Sequence, residues 1–161
     1  MGYKKIYKEF SKNPKFKKLS KENHHGTTRI EHIGRVAKVS YEVSKFFKLD
    51  YISTTRGALM HDFFLNDELS SLDHKRFKTH PEKAYENASK YFEINNKEKD
   101  IILSHMFPIT NKMPKYKESH VVNVADKVVS IYEFGRFQLK YTGALAIIFA
   151  FQLVDNVFKF I

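Results

Sequence analysis

The chain has 161 residues, 42 % of them hydrophobic and none of them cysteine. It is long enough for one compact domain with a real core, and it excludes disulfides, thiolate catalysis and cysteine-based metal sites. The formal net charge of +10 suits a solubilising face or an anionic partner, but no RNA- or DNA-binding motif accompanies it, which argues against nucleic acid.

Residues 1–24 form a basic lead-in. Lys4, Lys5, Lys8, Lys12, Lys15, Lys17, Lys18 and Lys21 stand there against Glu9, with one short helix expected around Lys4 to Ser11. No apolar core follows this charge, so it does not read as a secretory signal, and the expected location is cytoplasmic. Thr27 or Thr28 can cap a helix running to about Phe47, on which His32, Val36, Val39 and Val43 share one face. A second helix is expected from Ser53 to Phe64, capped by Ser53 or Thr54, and a polar loop over residues 65–79. The next helix opens at "HPEKA", with Pro81 in its first position and His80 at its N-terminus. "NKEKDIILSHM" predicts a helix that stops before Pro108, and residues 109–116 a loop. "ESHVVNVADKVVSIYEF" predicts a further helix with Gly135 as a candidate break, and the last helix spans Thr142 to Phe160.

Nothing alternates with period two for long, and six glycines and four prolines are few, so the expected fold is an all-α helical bundle. Its expected divisions are the lead-in, a bundle domain over residues 25–138, and a C-terminal apolar helix over 139–161. The uninterrupted apolar part of that helix, Ala144 to Phe151, is too short for a bilayer of about 30 Å. The helix is apolar on more than one face, so it packs on the bundle or serves a homodimer rather than a membrane span.

Several polar side chains fall on apolar stretches. His32 shares a stripe with valines, His61 and Asp62 lie side by side in "GALMHDFF", His105 follows "DIILS", Asp126 sits in "VVNVADKVVSI" and His80 opens a helix. Burying such groups is costly unless something satisfies them, and histidines and carboxylates facing one another across a helical core are a standard way to build a metal site.

The motifs "RIEHIGRVAKVS", "GALMHDFF", "THPEKA", "IILSHM" and "NVADKVVS", in this order, resemble the HD-domain superfamily of metal-dependent phosphohydrolases over residues 25 to about 134. The resemblance implies that His32, His61, Asp62 and Asp126 ligate one divalent metal. It also implies that His80 and His105 join Asp62 in holding a second, as in binuclear members such as symmetrical diadenosine tetraphosphate hydrolases and certain cyclic-dinucleotide phosphodiesterases. Met106 stands where some of the latter carry a second adjacent histidine, and Leu65 where mononuclear nucleotide triphosphohydrolases carry a lysine. Imidazole and carboxylate ligands suit Fe, Mn, Co, Ni, Zn or Mg.

Around these residues, Asp62, Lys127 and Asp67 are the candidate catalytic groups, with Asp67 a proton donor in the loop after the dyad. Lys127, Arg35 and His25 are candidate substrate contacts, and Arg35, one turn from His32, can also brace a carboxylate. Arg29 and Arg56 lie near the candidate ligands in sequence. The expected activity is hydrolysis of a phosphomonoester or phosphodiester, the substrate being a small phosphorylated molecule such as a nucleotide. The alternatives are a metal-binding module without turnover and a di-iron oxygenase resembling inositol oxygenase.

Overall fold

The computed structural model describes the backbone of residues 1–24, 26–69 and 76–158, and the side chains of the same residues except 23–24, 76–78 and 144–158. Helix α1 spans Tyr3–Phe10, and the Asn13 side chain caps α2, Pro14–Lys18, by accepting from the Lys15 and Phe16 N–H groups. The lysines of this basic segment leave one apolar face, and that face goes inward: Ile6, Phe10, Phe16 and Leu19 are all buried in the same core as the rest of the chain. Phe10 stacks on Phe92 with ring centres 4.5 Å apart, and Phe16 on Phe63 at 6.2 Å. The lead-in is therefore part of the hydrophobic core.

A two-residue antiparallel pair follows, β1 (Asn23–His24) against β2 (Thr27–Thr28), with Gly26 at φ 81° between them. Among the described residues it is the only sheet in an otherwise helical chain. Helix α3, Arg29–Phe46, starts on a capping box: Thr28 Oγ1 accepts from the Glu31 N–H, and the Glu31 carboxylate accepts from the Thr28 N–H.

Helix α4 spans Tyr51–Met60, two residues ahead of its expected start, because Asp50 rather than Ser53 is the cap. His61 is thereby its C-cap and Asp62 lies beyond it. Helix α5, Arg76–Tyr91, also begins early, so Pro81 lies inside the helix and not at its first position, and His80 is in its second turn. Helix α6, Asn96–Ser104, has a second capping box, Asn95 with Glu98, and ends with His105 as C-cap.

Helix α7 runs without interruption over Lys117–Phe158. Neither the break at Gly135 nor a new start at Thr142 occurs. A single glycine inside a helix costs only about 1 kcal/mol, too little to end one. At 1.5 Å per residue, α7 is about 63 Å long.

Helices α3, α4, α6 and α7 close a ring in which α4 packs on α3 and α6, and α7 packs on α6 and α3. Helix α5 lies against α6 and α4, and α1 against α4 and α3. The α4–α6 approach is tight at Gly57, where an added Cβ would come 2.7 Å from Ile101 Cδ1. Ile33, Leu59, Met60, Ile102 and Val122 fill the centre. Among the described residues no helix is long and apolar enough to cross a membrane.

Candidate metal centre

The last carbonyls of a helix have no intrahelical donor. Two histidines use this in the same way. His61 caps α4 and its Nδ1–H donates to the Ala58 carbonyl at 2.7 Å, while His105 caps α6 and its Nδ1–H donates to the Ile102 carbonyl at 2.8 Å. Each ring is thus locked in the tautomer whose Nε2 carries a lone pair, and both Nε2 atoms turn into the bundle. His32, from α3, does the same with a side-chain partner: its Nδ1 is 2.9 Å from Glu133 Oε2 on α7, and its Nε2 is 3.1 Å from Asp126 Oδ1.

These rings meet two carboxylates. His61 Nε2 is 3.7 Å from Asp126 Oδ1 and 4.0 Å from Asp62 Oδ2. His105 Nε2 is 3.7 Å from Asp62 Oδ1, and His80 Nε2, brought in by α5, is 3.4 Å from the same oxygen. His80 and His105 face each other with Nε2 atoms 2.9 Å apart. Ligand atoms of His32, His61 and Asp126 lie within 4.8 Å of one another, and so do those of His61, Asp62 and His105. All six residues are buried.

Such a set is a poor match for itself. Lone pairs on imidazole nitrogen and carboxylate oxygen converge with too few protons between them, and His61 Nε2 is buried without a hydrogen-bond partner. The protonation state shows the same tension. Burial pushes the His32 imidazole down, but its bonds to Asp126 and Glu133 outweigh this and carry it up to about 9. Burial likewise opposes charging of His61, and the negative charges of Asp62 and Asp126 turn the shift upward. His105 goes the other way, down to about 3, through burial and the neighbouring His61 and His80. Burial works against the Asp126 carboxylate, yet His32 and His61 hold it well below the usual range. A divalent cation among these atoms would satisfy every one of them, so the residues present fit a metal.

A family model for the HD domain matches residues 29–130, well over half of the chain. The chain belongs to the HD-domain superfamily of metal-dependent phosphohydrolases. No curated protein and no solved structure matches it. The HD match opens at the first residue of α3 and takes in His32, the His61–Asp62 dyad, His80, His105 and Asp126. HD-domain proteins are largely metal-dependent phosphohydrolases and bind divalent metals.

The remaining expected site residues of this HD domain are distributed as follows. Lys127 donates to the carbonyls of His105 at 3.1 Å and Asn123 at 3.2 Å, and burial lowers its pKa. With Asn123 Nδ2, 2.6 Å from the same His105 carbonyl, it ties the end of α6 to α7. Arg35 donates to Glu133 Oε1 at 2.6 Å, so it braces the carboxylate that holds His32. Asp67 is exposed, in the 3-10 turn Asn66–Glu68 just past the dyad. His25 lies outside the described residues. Arg56 is not at the centre; it pairs with Glu98 at 2.5 Å and the Glu93 carbonyl at 2.8 Å. Arg29 is buried, with Nη1 3.8 Å from Asp62 Oδ2, Nη2 bonded to Asn66 Oδ1 at 2.6 Å, and its guanidinium 3.8 Å above the Phe64 ring centre.

Glu133 escaped the sequence reading. It lies seven residues after Asp126, two turns along the same helix face, and that spacing was the available signal.

Proposed function

We propose that this HD-domain protein hydrolyses a phosphomonoester or phosphodiester bond of a small substrate, a nucleotide, with two divalent cations. One observation carries the reading: ligand atoms of His32, His61 and Asp126, and of His61, Asp62 and His105, gather within 4.8 Å in two groups that share His61. By the family resemblance, His32, His61, Asp62 and Asp126 would hold one ion, and Asp62, His80 and His105 the other. When bound, divalent metal would polarise the phosphoryl oxygen and activate a water as the nucleophile near neutral pH.

The chain's own residues supply the rest. Glu133 fixes the His32 ring, and the Ala58 and Ile102 carbonyls fix His61 and His105, so the donors are set before any ligand arrives. Arg29 places a buried positive charge beside Asp62. Lys127, next to Asp126 in sequence, would meet a phosphate oxygen only by leaving the His105 and Asn123 carbonyls it now bonds, and Asp67 is the candidate proton donor to the leaving group. The apolar sequence Ala144–Phe151, at the far end of α7, supports a homodimer through that helix.

Elemental analysis of the purified protein, combined with phosphate release from a nucleotide panel with Mn²⁺ or Fe²⁺ and with chelator, tests the reading. Release is expected only in the presence of metal. His61→Ala and Asp62→Ala are each expected to lose metal and turnover together. A variant that keeps full metal content and turnover overturns the ligand assignment, and oxygen consumption without phosphate release overturns the hydrolytic reading.

A further inference from the structure

Helix α3 ends on four consecutive exposed residues, Lys45, Phe46, Phe47 and Lys48. Phe46 is 79 % and Phe47 64 % exposed, and their rings meet each other edge to face, 5.1 Å apart, rather than the core. Large apolar side chains scattered singly over a surface are ordinary. Two adjacent aromatic rings held out together between two lysines are not.

The tip that carries them is held by the backbone. The Phe47 N–H donates to the Val43 carbonyl at 3.0 Å, the Lys48 N–H to Lys45 at 3.2 Å and the Leu49 N–H to Ser44 at 2.9 Å, the pattern that closes a helix on a left-handed residue. That residue is Lys48, at φ 55°. Glycine takes this conformation without cost and lysine does not, so the turn keeps a cation where the backbone alone would favour none.

The carboxylates nearest in sequence are already engaged. Glu42 pairs with Lys38, and Asp50 caps α4 and faces Lys97 at 3.5 Å. Among the described residues Lys45 and Lys48 pair with no carboxylate, and Lys45 Nζ lies 5.7 Å over the Tyr41 ring. Tyr3 packs on that same ring with centres 5.9 Å apart, and the first turn of α1 adds Lys4 and Lys5, both exposed. This end of α3 is thus an apolar tip among lysines. It lies about 21 Å along the helix from His32, clear of the metal centre.

We propose that the Phe46–Phe47 tip docks the protein on an anionic lipid bilayer, the rings entering the headgroup layer and Lys45 and Lys48 meeting the lipid anions around them. Aromatic rings flanked by cations fit such a surface. The rings take up the apolar depth, and the long lysine stems let their ammonium groups stay with the headgroups. A protein partner fits less well, because two rings among lysines offer far less apolar surface than a stable interface, at roughly 800 Å² per partner, buries.

The test is co-sedimentation of the full chain with vesicles of phosphatidylcholine alone and of equal parts phosphatidylcholine and phosphatidylserine, at low and at physiological salt. Wild-type protein is expected to sediment with the mixed vesicles, more weakly as salt rises, and far less with phosphatidylcholine alone. Phe46→Ser with Phe47→Ser is expected to weaken that binding by about tenfold or more, since two apolar side chains are withdrawn from the bilayer. Lys48→Gly removes a charge and relieves the left-handed strain, so vesicle binding about fivefold weaker is expected together with an unchanged or raised denaturation midpoint. Circular dichroism shows that both variants are folded. No binding by wild type overturns the proposal. Equal binding by the double phenylalanine variant also overturns it and moves the lipid contact to the apolar face of α7. Equal binding to both kinds of vesicle, or a Lys48→Gly variant that binds like wild type, overturns the anionic surface as the ligand class. If the double variant is a smaller particle than wild type by light scattering and neither binds vesicles, the tip is a contact between copies and the proposal falls.

Discussion

Glu133 shows how a residue that touches no substrate can set a centre's geometry. Its two oxygens are divided between His32 Nδ1 and Arg35, and it is almost wholly buried. Burial works against the Glu133 carboxylate, but His32 and then Arg35 hold it below the usual range, and the carboxylate in turn keeps the imidazole turned with Nε2 inward. Outer partners of this kind are typically worth 10–100-fold in metal affinity. Glu133→Gln preserves the shape but removes the charge, and a loss of about tenfold or more in affinity is expected, read by titration of Mn²⁺ against a competing chelator. An unchanged affinity would show that packing alone orients His32.

At the level of elements, the close approach of α4 and α6 brings His61 and His105 together, their ring centres 4.9 Å apart. Gly57 permits that approach. Gly57→Ala drives a methyl into Ile101, and a destabilisation of about 1–3 kcal/mol is expected by denaturant unfolding, with a parallel loss of metal affinity as the two C-caps separate. The seating of α1 has a pH signature of its own. Tyr3 donates to the Gly34 carbonyl on α3, and burial, then the neighbouring Tyr7, raises its pKa to about 12 from 10.0. The folded state thus resists its ionisation. Its contribution is whole below pH 10 and is lost as pH climbs from 10 towards 12. Tyrosinate absorbance and helicity followed through that window are expected to change together in the wild type and at a lower pH in Gly34 or α1 variants that loosen the contact.

The same elements show what was legible beforehand. The all-α class and the HD resemblance both hold, because helical periodicity and an ordered set of polar residues on apolar stripes are properties of the chain read locally. Element ends were less legible. Asp50 caps α4 by accepting from the Ser53 N–H, and because Asp and Ser cap about equally well the sequence offered both starts, while α7 passes through Gly135 because a glycine costs a helix only about 1 kcal/mol. The lead-in read as solvated charge, yet Ile6, Phe10, Phe16 and Leu19 are buried in the core, with α1 against α4 and α3. Glu133 in "SIYEF" reads as a surface residue; its burial arises only where α7 crosses α3. The grouping of six residues from five separated segments was inferable only through the family's order of motifs.

At the scale of the whole molecule, α7 leaves a long apolar face without a partner in the bundle. Val124, Val128, Ile131 and Leu139 are between 56 % and 75 % exposed, and the sequence beyond them is more apolar still. A patch of that extent is unusual on a monomer. Light scattering of the full chain is expected to give a dimer, and of a version ending at Tyr141 a smaller particle; a soluble full-length monomer would remove the dimer from the reading.

The unbroken course of α7 also has a mechanical meaning. Asp126, Glu133, Phe137 and Lys140 ride on one rod, and the rod continues for some twenty residues past the last of them. A stiff helix transmits torque. A load on the far part of this helix is carried along the same backbone that bears Asp126 and Glu133.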